Sequence, residues 1–452
     1  MLTKMMMMEK LLTFGRRQHH TLISREIIRP SSPTPSHLQT YNLSALDQLT
    51  HHKYIPLILL YPNNGNCSLT TDDKVWELKK SLSRSLTQFY PFAGQISTPT
   101  TPYIDCNDAG VVFLEAKNDS QLDKFQNMSV HDETFVQLFA DNMVYFNSQY
   151  CKSLVGVQVN RFACGGMGVA FSMSHIVGDG STLCSFVNHW ASMARYGSAD
   201  HKEVLPLNPH ILHFPCTDAI DHPESKDTKQ RYVERATKKF VFPNSKLKDL
   251  KNNVKASVAA GYKLSIDQEP THVEVLTSLL FKAAVEAATT KSGCFKPSCL
   301  VIPVDLRKKF VPELARTTMG NFVSVIMVPC KDTNEASLNV VVSGIKKHKA
   351  DLKRLQSEHL AAEHYGLLLS NMVSENYSSY WCSCLCRIPY RKSDFGWGDP
   401  ARATIGLKWI DRDTFMLLDT PDGDGIDAYV ALEKEEMEIF QNNKELLSYC
   451  KS

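Results

Sequence analysis

The hydrophobic pattern is most informative in the middle of the chain. Apolar and polar residues alternate from Val155 to Asn160, which is the period of a β-strand, and an apolar run from Met167 to Met173 indicates a second strand. The glycine pair between the two segments predicts a turn. After Gly180 the apolar positions recur at helical spacing, and Ser181 is the predicted N-cap. We therefore expect two paired strands, a short loop and a helix.

The loop before this helix carries a histidine and an aspartate. His175 lies where the second strand ends, so its side chain can point into a cleft, and an imidazole is suited to take a proton from a hydroxyl or an amine. Asp179 follows between two glycines that allow a sharp turn, and it could fix the geometry rather than do chemistry. On this pair alone, a structural His–Asp contact is the simpler interpretation.

The pattern also divides the chain into segments. Between Gly197 and Gln230 the sequence is polar and broken by prolines, and no sustained period survives there, which is typical of a linker. Regular hydrophobic periodicity is present on both sides of this stretch. We predict an N-terminal extension, expected to be disordered, over residues 1–20, an N-terminal domain over 21–200, a crossover linker over 201–230 and a C-terminal domain over 231–452.

In the second half, Thr271 is the predicted N-cap of a helix, and Glu274 three positions later completes a capping box. A helix N-terminus offers amide donors and the positive end of a dipole, which suits a phosphate. An ordinary helix cap explains the same residues. The run from Val301 to Arg307 predicts a strand that ends in charged residues.

Composition narrows the class of protein. The 452 residues are 43% hydrophobic, enough for a full core, and the net charge of +2 gives no reason to expect nucleic acid or a membrane as a partner. The 13 cysteines form no secreted framework, and no apolar run approaches the roughly 20 residues of a membrane span. We therefore expect a soluble, cytoplasmic protein. A targeting role for the basic, methionine-rich start stays open.

Three cysteines, Cys382, Cys384 and Cys386, form the only cysteine cluster of the sequence. A metal site usually needs a fourth ligand and C-x-x-C spacing, neither of which is evident, so we expect free thiols and no metal. A cysteine- or metal-dependent enzyme using this cluster is the alternative, which metal analysis and alkylation would test.

Two motifs together resemble a known family. His175 to Gly180 reads H-x-x-x-D-G, and Asp394 to Gly398 reads D-F-G-W-G. The combination resembles the BAHD family of plant acyl-CoA-dependent acyltransferases, and the resemblance runs from about Ser24 to the C-terminus. It implies an α/β fold of two chloramphenicol acetyltransferase-like domains, each a mixed β-sheet flanked by helices, with the active-site channel at the domain interface.

The resemblance also implies roles for individual residues. His175 would be the general base, and Asp179, paired with Arg307, would hold its loop. Further residues are implied as structural support of the site, as contacts to the coenzyme A phosphates, and as substrate or oxyanion contacts. The support residues are Asp394, Gly396, Trp397 and Gly180, the coenzyme contacts are Thr271, His272 and Lys246, and the substrate contacts are Asn321 and Ser383. A backbone amide near Gly178 is the other candidate for the oxyanion.

The implied reaction is direct acyl transfer. The base would take a proton from the acceptor hydroxyl, which attacks the thioester, and would return it to the coenzyme A thiolate. No G-x-S-x-G motif is present, which argues against an acyl-enzyme hydrolase. The order of segments most resembles the branch that acetylates alkaloids and terpenoids. We therefore expect a monomer with acetyl-CoA as co-substrate, no permanently bound cofactor, and a small-molecule hydroxyl as acceptor.

Two alternatives stay open. The donor could be benzoyl- or hydroxycinnamoyl-CoA. However, Ser383 and Leu385 stand where many family members have threonine and tryptophan, which weakens the case for a hydroxycinnamoyl donor. A catalytically silent ligand-binding protein is the other alternative, against which the intact His175 and Asp179 argue.

Overall fold

The computed structural model covers most of the chain. It describes residues 20–50, 53–63, 65, 68–97, 103–127, 137–140, 153–197, 208–209, 234–259, 269–310, 318–355, 363–368, 370–371, 377–405 and 413–451. Residues 1–19 of the predicted extension and nearly all of the predicted linker lie outside this set, so the domain boundaries stay predictions. No helix within the described residues combines the length and hydropathy needed to cross a bilayer.

The described strands and helices are numbered here in chain order. The strands of the first half are β1 (His20–Ile28), β2 (Thr40–Asn42), β3 (Tyr54–Tyr61), β4 (Gln95–Ile96), β5 (Tyr103–Asp105), β6 (Val111–Asn118), β7 (Val155–Phe162) and β8 (Met167–Ser174). Those of the second half are β9 (Asn208–Pro209), β10 (Arg235–Pro243), β11 (Ser298–Asp305), β12 (Thr318–Met319), β13 (Val323–Cys330), β14 (Ser378–Cys384), β15 (Arg402–Ile405), β16 (Asp413–Asp419) and β17 (Gly425–Glu433). The helices are α1 (Ala45–Gln48), α2 (Thr71–Gln88), α3 (Leu122–Asn127), α4 (Gly180–Tyr196), α5 (Asn244–Ala259), α6 (His272–Ser292), α7 (Arg307–Phe310), α8 (Leu338–Arg354), α9 (Lys434–Phe440) and α10 (Lys444–Ser448).

The first sheet has the strand order β1-β6-β7-β8-β3-β15 and is mixed, because β6 and β7 run parallel while the other neighbours are antiparallel. Helices α2 and α4 pack on one of its faces. Phe171 of β8 stacks on Phe186 of α4 with ring centroids 5.1 Å apart. The indole of Trp190 donates to the Leu78 carbonyl of α2 over 3.1 Å, so the two helices and the sheet share one core.

The last strand of this sheet comes from near the other end of the chain. Strand β15 lies antiparallel to β3, with Arg402 opposite Leu60 and Ile405 opposite Leu57. The second half of the chain therefore completes the sheet of the first half.

The second sheet has the order β10-β17-β16-β14-β11-β13, with β14 parallel to both of its neighbours, so it is mixed as well. Helix α6 is buried over most of its length, and Phe281 meets Tyr380 of β14 edge to face with centroids 5.5 Å apart. Mixed sheets flanked by helices are the architecture expected from the sequence.

The pattern around residue 175 predicted the local structure well, with one correction. Strands β7 and β8 and helix α4 lie where the periodicity places them. The N-cap of α4 is Asp179, however, and not Ser181, because the Asp179 carboxylate accepts from the backbone amides of Ser181 and Thr182. An aspartate one residue before the helix outcompetes a serine within its first turn.

Candidate active site

His175 begins a short 3₁₀ turn, His175–Val177, that follows β8. Its backbone amide donates to the Lys53 carbonyl over 2.7 Å, which ties the turn to the residue before β3. The histidine is half-buried.

The imidazole contacts Asn321, which lies in the turn between β12 and β13. His175 Nδ1 is 2.9 Å from Asn321 Oδ1. The amide nitrogen of Asn321 donates to Asp47 Oδ1 over 2.9 Å and to the His175 carbonyl over 2.7 Å, so the atom facing the ring must be the amide oxygen. Because that oxygen can only accept, Nδ1 carries the proton and Nε2 presents a lone pair. No hydrogen bond to Nε2 is found within the described residues.

Asp179 and Arg307 form a buried ion pair beside this histidine. Arg307 Nη1 is 2.7 Å from Asp179 Oδ2 and Nη2 is 3.0 Å from Oδ1, and the side chains are only 2% and 5% exposed. Burial alone would raise the pKa of Asp179, but the Arg307 charge and the surrounding donors hold that pKa below its usual value. The carboxylate is therefore ionised and fully engaged.

The same carboxylate also fixes the turn that carries Asn321. The amide of Phe322 donates to Asp179 Oδ2 over 3.1 Å, and Arg307 Nη2 donates to the Gly320 carbonyl over 2.9 Å. Thus Asp179 links the start of α4, Arg307 and the Asn321 turn, which makes it a positioning group rather than a proton carrier.

The two glycines of the loop are needed for close approach. A Cβ on Gly178 would lie 2.5 to 2.6 Å from the Thr182 side chain, and one on Gly180 would lie 3.1 Å from the Tyr390 hydroxyl. That hydroxyl donates to the Gly180 carbonyl over 3.2 Å. The loop around His175 therefore packs tightly against both α4 and the C-terminal half.

Two groups are predicted as candidate oxyanion donors, the Asn321 side chain and a backbone amide near Gly178. Both donors of the Asn321 amide are engaged, and the Gly178 amide donates to the His175 carbonyl over 3.3 Å. The Asn321 donors and the Gly178 amide are thus engaged within the protein in this arrangement, and the oxyanion donor stays a prediction. Ser383 is half-buried on β14, opposite Met416 in the sheet.

The D-F-G-W-G segment forms a turn that docks on the first half of the chain. Asp394 Oδ1 accepts from the amides of Gly396 and Gly398, 2.8 Å each, and Oδ2 accepts from Arg195 of α4 over 2.6 Å. Trp397 packs edge to face against Tyr61 of β3, with centroids 6.0 Å apart. These contacts support a structural role for the segment.

Two of the three predicted coenzyme contacts, Thr271 and His272, lie at the start of α6. Thr271 and Glu274 form the expected capping box, and Glu274 also pairs with Lys349 at 2.9 Å. His272 is half-buried, and desolvation together with nearby Lys251 and Arg387 lowers its pKa. Lys246 is exposed on α5. The helix end is therefore already capped by a carboxylate, while its surroundings are cationic.

The three clustered cysteines, Cys382, Cys384 and Cys386, lie on β14 or directly after it. Within the described part of the chain, no group of three or more His, Cys, Asp or Glu side chains is placed to hold a metal ion. Cys382 is buried on β14 and shares a hydrogen bond with Thr277 at 3.3 Å, while Cys384 is exposed.

Sequence reasoning did not single out Asp47, which lies on α1 and is 1% exposed. Ser44 and Asp47 have capping-box spacing, S-x-x-D, inside an apolar stretch, and a buried acid there was the available signal. Thr182 was missed too. Its hydroxyl donates to the Gly320 carbonyl over 2.9 Å and reinforces the Asn321 turn.

Comparison with known proteins places the chain among plant enzymes. A family model described as the Transferase family matches residues 18–447. Akuammiline synthase 1 of Alstonia scholaris is 34% identical over 436 residues, 95% of this chain and 97% of the relative. A limonoid 21-O-acetyltransferase of Melia azedarach is 33% identical over 438 residues, again 95% and 97% of the two chains.

A solved structure agrees with this placement. The crystal structure of vinorine synthase is 27% identical, with a TM-score of 0.80 over 96% of this chain and 99% of that chain. Fold, motifs and relatives therefore agree: the chain belongs to the BAHD transferase family of acyl-CoA-dependent acyltransferases and has its two-domain, chloramphenicol acetyltransferase-like fold.

Proposed function

We propose that this enzyme transfers an acetyl group from acetyl-CoA to a hydroxyl of an alkaloid or a terpenoid, with His175 as the general base. The observation that carries the proposal is the contact between His175 Nδ1 and Asn321 Oδ1, which leaves Nε2 as the free basic nitrogen. The named acetyl transfer to a limonoid in a relative supports the donor and the class of acceptor.

In the proposed reaction, Nε2 takes the proton of the acceptor hydroxyl as its oxygen attacks the thioester carbonyl. The carbon–sulfur bond then breaks, and the proton on Nε2 passes to the coenzyme A thiolate, so the histidine ends as it began. Because Asn321 Oδ1 accepts from Nδ1–H in both the neutral and the cationic ring, it supports both states. No enzyme nucleophile is needed.

We further propose that Thr271, His272 and Lys246 contact the coenzyme phosphates. Thr271 and His272 stand at the N-terminus of α6, where Lys251 and Arg387 lie near His272, and Lys246 is exposed on α5. Ser383, half-buried on β14, is proposed to line the acyl or acceptor site. We also propose a cytoplasmic monomer without nucleic acid or membrane partners. The small net charge of +2 and the lack of a secreted cysteine framework in the sequence support the compartment and the absence of such partners.

The decisive experiment measures thiol release from acetyl-CoA with a panel of hydroxylated alkaloids, terpenoids and small alcohols. The His175→Ala variant should lose about 10²- to 10⁴-fold in rate. His348→Ala, a half-buried histidine on α8, should keep the wild-type rate. Acceptor-dependent release that survives in His175→Ala would exclude this base.

The same panel with benzoyl-CoA and coumaroyl-CoA tests the donor. Faster release from either of these than from acetyl-CoA would replace the acetyl donor in the proposal. If the protein binds none of the three coenzyme A esters, the silent-binder alternative is favoured over catalysis.

A further inference from the structure

Asp47 is a buried carboxylate two contacts away from the imidazole of His175. Its Oδ2 accepts from the amide and the hydroxyl of Ser44, at 2.9 and 2.7 Å. Its Oδ1 accepts from the backbone amide and the side-chain amide of Asn321, at 2.7 and 2.9 Å. All four groups around the carboxylate are donors, so they fit its ionised form. Within the described residues, no lysine or arginine pairs with it.

A second capping box in the same chain shows which of these bonds a helix cap requires. At the start of α2, Asp73 Oδ2 alone accepts from the amide and the hydroxyl of Thr70, at 2.9 and 2.7 Å. The corresponding cap on α1 uses only Oδ2 of Asp47. Its Oδ1 is therefore not needed for the cap, and both bonds of Oδ1 go to Asn321.

We propose that Asp47 is a positioning residue that fixes the amide of Asn321 and thereby keeps the His175 proton on Nδ1. Because Oδ1 of a carboxylate can only accept, the nitrogen end of the Asn321 amide must face Asp47. The oxygen end then faces His175 Nδ1, 2.9 Å away. This inference rests on the proposed function for its catalytic meaning, but not for its geometry.

The Asp47→Asn substitution keeps the shape of the side chain but replaces one accepting oxygen with a donating NH₂ group. Backbone amides, which cannot reverse, approach both oxygens of Asp47, one from Ser44 and one from Asn321. The new amide must oppose one of them. When its nitrogen faces Asn321, the Asn321 nitrogen loses one of its two acceptors and keeps only the His175 carbonyl. Part of the Asn321 population then reverses, and in that population the Asn321 nitrogen faces His175 Nδ1. His175 Nδ1 must then accept a hydrogen bond. This moves the ring proton to Nε2 and removes the free basic nitrogen.

The test reads the tautomer directly, by two-bond ¹H–¹⁵N NMR on protein labelled at histidine, with the His175 signals assigned by their loss in His175→Ala. Wild type should show protonated Nδ1, and Asp47→Asn should show a population with protonated Nε2. With the acceptor identified in the panel, kcat should fall about 10- to 100-fold while KM changes little, as for other groups that orient a histidine. Asp73→Asn, the matched capping-box control, should change neither the His175 tautomer nor kcat.

A double-mutant cycle separates positioning from structure. In an Asn321→Ala background, Asp47→Asn should cost no further kcat if Asp47 acts through Asn321. An equally large loss in both backgrounds would overturn the proposal, and so would an Asp47→Asn protein that keeps protonated Nδ1. If thermal unfolding shows that Asp47→Asn is not folded, Asp47→Ala replaces it, because an alanine places no donor against the surrounding amides. Asp47→Ala should show a mixture of His175 tautomers. A ring protonated only on Nδ1 would contradict the proposal. The NMR result stands even if no acyl transfer is found, so the two proposals fail separately.

Discussion

The Arg307 guanidinium and the Asp179 carboxylate meet through two hydrogen bonds of 2.7 and 3.0 Å at a place where water is nearly excluded. The carboxylate also caps α4 and holds the amide of Phe322. Asp179 therefore joins the elements that surround His175, and its removal should affect stability as well as rate.

Asp179→Asn should lower the free energy of unfolding by about 3–5 kcal/mol, because it leaves the buried Arg307 without its counter-charge. Urea unfolding measures the change. Asp119→Asn is the control, since its ion pair with Lys117 is exposed, and it should leave the stability unchanged. If both substitutions lower the free energy of unfolding equally, the buried ion pair contributes no more to stability than the exposed one.

The same ion pair predicts an acid limit to stability. The pKa of Asp179 is lower in the folded chain than in the unfolded chain, so the folded state binds fewer protons. The stabilisation that this ion pair gives is complete above the unfolded-state pKa of about 3.9. It is lost as the pH falls through the lower pKa of the folded state. Urea unfolding between neutral pH and pH about 3 should show a steeper loss for wild type than for Asp179→Asn. Parallel curves would contradict the depressed pKa.

Gly178→Ala should lower kcat and destabilise the protein by about 1–3 kcal/mol, since the new Cβ would overlap the Thr182 side chain and displace the loop. Gly366→Ala is the matched control. It lies on a helical segment with no atom within 4 Å of the added methyl group, and it should be neutral or stabilising. Steady-state kinetics and thermal unfolding of both variants measure the difference. A fully active Gly178→Ala enzyme would show that this close approach is dispensable.

Tyr61→Phe tests how the D-F-G-W-G turn is docked. The Tyr61 hydroxyl donates to the Ser393 carbonyl over 2.5 Å in a buried contact, so its loss should cost about 1–3 kcal/mol of stability. Tyr449→Phe removes a hydroxyl with an exposed contact to Asn253 and should have less effect in the same denaturant titration. If the order of the two effects is reversed, the turn is held by other contacts.

Cys384 should be a reactive but dispensable thiol. A hydrogen bond from Cys386 lowers its pKa to about 7 despite partial desolvation. Its iodoacetamide alkylation, followed by mass spectrometry, should therefore reach half its maximal rate near that pH, and Cys386→Ala should move the midpoint upward. Cys384→Ser should retain acetyl transfer. Loss of acetyl transfer in Cys384→Ser would favour the cysteine-dependent alternative.

The sequence predicts the local structure of the site well. Strand, loop and helix around His175 follow from periodicity and glycine placement, and the capping box of Thr271 and Glu274 follows from spacing alone. These features depend on residues close together in the chain. The Asp179–Arg307 contact, in contrast, was expected from the family resemblance rather than from any pattern.

Other contacts between distant segments were beyond sequence reasoning. Asp47 and Asn321 are far apart in the chain, and only the fold brings the α1 carboxylate to the β12–β13 turn. The partners of Asn321 were unknown for the same reason, because only the structure shows that its amide nitrogen donates to Asp47 and to the His175 carbonyl. Hydrogen-bond satisfaction is a property of the folded neighbourhood.

The pairing of β15 with β3 has a consequence for biosynthesis. The strand that covers the edge of β3 is translated more than three hundred residues after it, so the first sheet emerges from the ribosome with that edge unpaired. An open edge of buried apolar residues, including Leu57, Leu59 and Leu60, is a template for pairing with other chains. We therefore expect this edge to need protection until almost the whole chain has been made, and C-terminal truncations before Arg402 to aggregate rather than yield an isolated N-terminal domain.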